Sequence, residues 1–256
     1  MKSLKLLIFD ISGEYGHFRK FNTTSSPLTY AVPTRTALAG ILGAILGVER
    51  EITHNVFPEG VTPVNELFDR ENADIAIQIL APIKKVNIGF NLLDTGKSAS
   101  SFFNIENRTQ IEFELLKHPK FRIYFSHKDE GIFNELAERI KNVRHHFTPY
   151  LGLAQFTTSV DWVGEEEAQL ETAKEEYSDI QSIVNLSTIT DENPIKFAEN
   201  TNGESFFYTT DTMPMAMQRD RIVTNYAEIL LERHGKIIQV KTNNYYKTSY
   251  GNILLL

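Results

Sequence analysis

The chain has 256 residues, 41% hydrophobic content and a formal net charge of −7. That length allows one large domain or two small ones with an ample core, and the composition excludes a disordered chain. With no cysteine there are no disulfides and no thiolate metal site, which fits a reducing cytoplasm.

Leu4–Ile11 reads as a buried strand, central in a sheet because its apolar character is nearly continuous. It is too short for a signal peptide, and Asp10 interrupts it. A polar, aromatic connection from Ser12 to Leu28 follows. Leu28–Val48 then reads as an extended entry and a helix of about 14 residues. Pro33 suits the boundary, and Thr34 and Thr36 can bond the free amides of the first turn. Ala37, Leu38, Ile41, Leu42, Ile45 and Leu46 form one apolar face; Gly40, Gly43 and Gly47 form a small-residue face, with Gly47 a candidate C-cap. Gly40 and Gly43 each cost about 1 kcal/mol against alanine, which implies close backbone approach. The run is too short to span a bilayer, so no membrane partner is expected.

An acidic connection, Glu49–Asn72, holds a short helix near Val64–Asp69. Ala73–Pro82 reads as a strand. Lys84–Arg108 is long for a hairpin loop and carries Lys84, Lys85, Lys97 and Arg108 among serines, asparagines and phenylalanines. Thr109–Lys117 and Phe121–His127 read as a hairpin around His118-Pro119. Asp129–Val143 is a helix, followed by a strand from Ala154 to Trp162. The order strand, helix, strand, strand, helix, strand predicts an α+β, ferredoxin-like domain over 1–163, the split arrangement that RNA-recognition (RRM) domains also use. Gly164–Ser178 reads as a solvated helix or linker opening a β-rich subdomain over 164–256. There Asn202-Gly203 marks a turn, and Ala227–Arg233 pairs with Lys236–Thr242 around His234-Gly235.

The net charge argues against a nucleic-acid partner until its distribution is considered. Residues 164–200 hold ten acids and two bases, whereas residues 1–47 hold five bases and two acids. Local charge governs phosphate contact, so RNA stays open. Arg35, placed against the dipole of its helix, suggests an anionic partner. Tyr15-Gly16-His17-Phe18-Arg19-Lys20 joins aromatics that can stack on bases to cations that can hold phosphate. A packed Tyr15 and Phe18 with solvated Arg19 and Lys20 is the plainer alternative. Gly96-Lys97-Ser98 ends like a P-loop, but Asn91 stands where its first glycine belongs. The seven histidines form no HxxxH or HExxH, and no nucleophile elbow occurs, so neither metal nor cofactor is expected.

Strand one, Gly13–Arg19, and Tyr30-Ala31-Val32-Pro33-Thr34-Arg35-Thr36-Ala37-Leu38-Ala39-Gly40-Ile41-Leu42-Gly43 resemble the amino-terminal signature of the fifth CRISPR-associated (Cas) family. Pro149-Tyr150-Leu151-Gly152 with Phe156 resembles its later motif. The resemblance implies a RAMP-superfamily ferredoxin-like domain with a protruding thumb, here about 84–108, and a second β-rich part. It implies a cytoplasmic subunit of a type I Cascade complex in antiviral defence. That subunit holds the 5′ handle of the guide RNA (crRNA) beside the large subunit and a backbone subunit, and meets target DNA indirectly. The expected RNA contacts are Arg19, Lys20, Arg35, Lys84, Lys85, Lys97 and Arg108 for phosphates, Thr34 and Thr36 at the helix start, and Tyr15, His17, Phe18 and Tyr30 for bases. One branch of the family cuts precursor RNA with a tyrosine late in the first helix and a lysine–histidine pair at the start of the second. Leu46 and Ile132-Phe133 stand there, so this chain reads as non-catalytic. Lys117-His118 is the substitute pair that a metal-independent endoribonuclease would use; a small-metabolite-binding domain is the third reading.

Overall fold

The computed structural model describes residues 3–20, 26–93, 108–173, 176–189, 193–199 and 205–256. In chain order they form β1 (Ser3–Ser12), β2 (Tyr15–Gly16), α1 (Arg35–Leu46), α2 (Val64–Leu67), β3 (Ala73–Ile79), β4 (Lys85–Leu93), β5 (Arg108–Lys117), β6 (Lys120–His127), α3 (Glu130–Lys141) and β7 (Ser159–Thr172). The strands β8 (Ser178–Ile180), β9 (Val184–Asn185), β10 (Ile195–Lys196), β11 (Tyr208–Met217), β12 (Val223–Glu232), β13 (Ile238–Val240), β14 (Asn244–Thr248) and β15 (Gly251–Ile253) follow. The result is a mixed α/β fold with one large sheet and few helices.

That sheet has nine strands in the order β10-β13-β8-β15-β14-β7-β1-β6-β3. Its β7-β1-β6-β3 part is antiparallel throughout. α1 links β1 to β3 and α3 links β6 to β7, and both helices pack on one face. Leu7, Phe9 and Ile11 of β1, Ile75 and Ile77 of β3, and Phe121, Ile123 and Phe125 of β6 meet Leu38, Ile41, Leu42 and Ile45 of α1 and Phe133, Leu136 and Ile140 of α3 there. The opposite face buries Leu6, Ile8, Ala76 and Tyr124 with Ala168 and Ile253. β1 is therefore covered on both sides, which is why its sequence does not alternate. The outer edge of β3 is also closed: Ile183 N donates to Ile77 O at 2.8 Å, and Leu256 N to Ile75 O at 2.9 Å.

Thr34 caps α1 by accepting from Ala37 N at 3.1 Å, and Gly47 ends the helix at φ 87°. The two interior glycines differ. A Cβ on Gly43 would lie 2.3 Å from Val64 Cγ1, so α2 packs on bare backbone, whereas one on Gly40 would meet nothing within 4 Å. Asp129 caps α3, accepting from Gly131 N and Ile132 N.

Four expectations need correction. β5 and β6 are not a hairpin, because β1 and β3 occupy both edges of β6, while β5 pairs with β4 and β2 in a separate three-stranded sheet. His118, at φ 49°, turns the chain from one sheet into the other. Gly164–Thr172 is neither helix nor linker but the second half of β7, hydrogen-bonded to β1 and β14. Its acids are accommodated at the surface: Glu165 pairs with Lys5 at 3.6 Å, and Glu166 accepts from the Ser249 hydroxyl at 2.5 Å. The strand expected over Ala154–Trp162 is the first half of this same β7 and starts at Ser159. Finally, β12 and β13 turn at Gly235 but part, β12 to β11 and β9, β13 to β10 and β8. Asn202-Gly203, the Gly96-Lys97-Ser98 triplet and most of the expected thumb lie outside the described residues.

Because nothing stands near Gly40, Gly40→Ala should raise stability by about 1 kcal/mol through helix propensity alone. Gly43→Ala should lower it by about 1–3 kcal/mol, since stiff Val64 must move. Urea denaturation midpoints of the two variants should shift in opposite directions.

Candidate nucleic-acid interface

The loop after β1 is held from two sides. Tyr15 and Gly16 pair with Lys117 and Leu116 of β5. His17 N donates to Leu151 O at 2.9 Å, and Gly152, at φ 88°, sits so close that a Cβ would lie 1.9 Å from the His17 carbonyl oxygen. Only glycine fits that approach and that backbone angle. The Pro149–Gly152 motif is thus a seat for the Tyr15–Lys20 loop, a role the sequence alone did not disclose. The loop then pairs with the entry to α1: Tyr30 N donates to Phe18 O at 2.7 Å, Lys20 N to Leu28 O at 2.9 Å, and Phe18 N to Thr29 Oγ1 at 2.9 Å.

Loop, helix start and the end of the β11–β12 hairpin enclose a cleft of about 510 Å³. Seven of the sequence-selected residues line it: His17, Phe18, Arg19, Lys20, Tyr30, Thr34 and Thr36. Phe113, Gly152, Leu153, Pro214, Met217 and Tyr226 are among the other lining residues. Tyr226 is 57% exposed, a ring available for stacking. Nothing in its strand sequence shows that the hairpin folds back to α1.

The selected side chains take different parts. Arg19 is exposed on the cleft. Lys20 pairs with Asp211 and lies 5.4 Å from the Tyr30 ring centre. Tyr30 is buried and donates to Thr212 O at 3.0 Å. Burial, then Asp211, hold its phenol above the ordinary value. Tyr30 and Lys20 therefore tie the hairpin to the loop, and Phe18 is core. The Thr34 and Thr36 hydroxyls lie 3.0 Å apart at the helix start. Tyr15 is half-buried, 6.0 Å from Phe156 between ring centres. His17 is 2% exposed; its Nδ1 lies 2.8 Å from Glu114 O, and its ring meets Phe113 edge-on.

Lys84 is exposed, but Lys85 is committed to Thr29 O at 2.7 Å and Glu114 Oε1 at 2.9 Å. The greatest departure from expectation is Arg35. It is 2% exposed and turns away from the cleft, its Nη2 donating to the carbonyls of Phe68, Asp69 and Ala73. Burial, then Arg70, push it down to about 10, so it stays charged at neutral pH. It lines a smaller, mostly apolar cavity with Phe57, Val64 and Met215. Of the remaining residues, Lys97 lies outside the described residues, and Arg108 is described only as the first residue of β5.

Such a cleft offers a cation and a helix N-terminus to a phosphate, and aromatic faces to a base. The molecule is thus a mixed α/β protein with an open cleft between its first helix and the β11–β12 hairpin. A family model described as CRISPR-associated protein (Cas_Cas5) matches residues 6–219, and the chain belongs to this Cas5 family. Among solved structures, a chain described as a CRISPR RNA-guided surveillance complex is similar at TM-score 0.50 and 13% identity, covering 93% of this chain and 91% of that one. A chain of a Type III-B Cmr-beta complex bound to cognate target RNA and AMPPnP gives TM-score 0.47 at 12% identity, over 91% and 86%. A Cas protein crystal structure gives 0.44 at 12%, over 93% and 98%. No curated protein matches the sequence.

Gly152→Ala should cost at least about 2 kcal/mol, from a strained backbone angle and a backbone clash, read as a lowered thermal midpoint. His17 gives a pH prediction. Burial, the largest cause, holds its imidazole below the ordinary 6.5. Below that pH the unfolded chain binds a proton that the folded chain resists, so stability falls with falling pH. The loss between pH 7.5 and pH 5.5 should be smaller in His17→Asn than in the unaltered chain, measured by urea denaturation at both pH values.

Proposed function

We propose that this chain is a non-catalytic RNA-binding subunit of a type I CRISPR Cascade complex, holding the 5′ handle of the crRNA. The observation that carries the reading is the cleft, which gathers seven residues selected from sequence for phosphate and base chemistry. Family membership supports a CRISPR role. The β7-β1-β6-β3 order with two crossover helices on one face supports a ferredoxin-like domain, with β4 and β5 forming the base of the thumb. The part over 164–256 is its β-rich extension, adding five strands to the same sheet. Arg19 and Lys84 are the phosphate contacts of this reading, with the Thr34 and Thr36 hydroxyls at the helix start. The backbone and large subunits of the complex are the protein partners. No described helix is long and apolar enough to cross a membrane.

The non-catalytic assignment rests on side chains. Leu46 and Ile132 pack against the core and Phe133 is buried in it, so none can move a proton. Lys117 and His118, the substitute pair of the endoribonuclease reading, are exposed at the β5–β6 turn and do not line the cleft.

Filter binding with the RNA that co-purifies with the tagged chain from its native cell tests the proposal. Arg19→Ala with Lys84→Ala should weaken binding and flatten the log–log salt slope by about 1.4, two phosphate contacts at roughly 0.7 each. Unchanged affinity and slope would remove these residues from the interface. Cleavage of repeat-containing precursor RNA in EDTA, abolished by His118→Ala, would establish the endoribonuclease instead.

A further inference from the structure

His17 carries a feature that phosphate binding does not use. Its Nδ1 lies 2.8 Å from the backbone carbonyl of Glu114. A carbonyl oxygen can only accept, so the ring hydrogen sits on Nδ1. The ring is held neutral by its burial, with Arg19 adding to the effect. Nε2 is then a bare lone pair, and it is buried without a hydrogen-bond partner. An unmet acceptor in a cavity wall is costly in the free protein and is relieved when a donor arrives. A phosphate diester is ionised and has no hydrogen to give, so it is not the group that Nε2 meets.

The surroundings narrow the donor further. Phe113 meets the ring edge-on, Leu153, Pro214 and Met217 add apolar surface to the same cleft, and Tyr226 offers an exposed ring. Apolar and aromatic walls with one fixed acceptor suit a nucleobase or ribose. Glu114 fixes the acceptor twice over. Its carbonyl sets the His17 tautomer, and its carboxylate holds Thr29 N at 3.1 Å and Lys85 Nζ at 2.9 Å, bracing the strand that pairs with the loop.

We infer that His17 reads one nucleotide of the bound RNA, its Nε2 accepting a hydrogen bond from a nucleotide N–H or O–H group in the cleft. This rests on the RNA reading of the cleft and assigns His17 an edge contact instead of a stacking one. The donor is a base amino or imino group or a ribose 2′-hydroxyl, both of which present the same chemistry to Nε2. Nε2 is closed to water in the free protein, so the donor reaches it with a small shift of cleft side chains, a common accompaniment of binding. Glu114 acts as a positioning residue.

The test uses the full chain and the co-purified RNA, resynthesised with single-position changes. One series replaces each ribose by 2′-deoxyribose; the other replaces each base by an analogue lacking one donor. Binding by the unaltered chain should drop about 3- to 10-fold at one position. In His17→Asn, whose amide can still donate to Glu114 O but has no atom at Nε2, the drop at that position should vanish while the salt slope stays the same. Sensitivity in the deoxy series identifies the 2′-hydroxyl, and in the base series the base edge. No position whose sensitivity depends on His17 would overturn the inference. A chain that binds none of the RNAs, unmodified ones included, would overturn the cleft reading itself. As a check free of mutation, the ¹⁵N resonance of Nε2 in the unaltered chain should move towards that of a hydrogen-bonded acceptor on adding RNA; an unmoved resonance on saturation counts against it.

Discussion

The cleft depends on one near-collision of backbones. Gly152 lies so close to the His17 carbonyl that no side chain could intervene, and its left-handed φ is one that other residues rarely adopt. Through that contact two segments far apart in sequence become one wall. The hydrogen bond from His17 N to Leu151 O fixes their register. Phe18 and Tyr30 then fall into the core, Lys20 turns to Asp211, and Arg19 is exposed at the rim. A rigid loop at the first helix start follows from a missing methyl group.

Charge is divided on the same principle. Of the basic residues selected from sequence, several are occupied within the protein. Arg35 satisfies three carbonyls between α1 and β3, Lys85 braces Glu114 and Thr29, and Lys20 joins the hairpin through Asp211. These contacts hold the walls in place. Arg19 and Lys84 are exposed at the surface.

Much of this was legible because it is local. Thr34 and Gly47 announced both ends of α1, Asp129 began α3, and the unbroken apolar run of β1 placed it inside a sheet. Pairing was less legible because it is not local. The sequence around His118-Pro119 looks like a turn and is one, but a turn does not say whether the next strand stays in the same sheet. The acids of β7 suggested solvent and a helix; backbone pairing on both sides outweighs that preference. Arg35 looked like an anion contact because helix polarity reports only the cost of a cation there, not the three carbonyls that offset it. Tyr226 and Phe113 gave no warning, since their place in the cleft is a product of the tertiary fold.

The closed edge of β3 has an implication for how the molecule is made. Ile75 and Ile77 have their outer partners in Leu256 and Ile183, from much later in the chain. During synthesis this strand emerges early and stands with open peptide groups until distant segments reach it. Assembly by such late closure is slow, and the interval is one of vulnerability to unwanted strand addition.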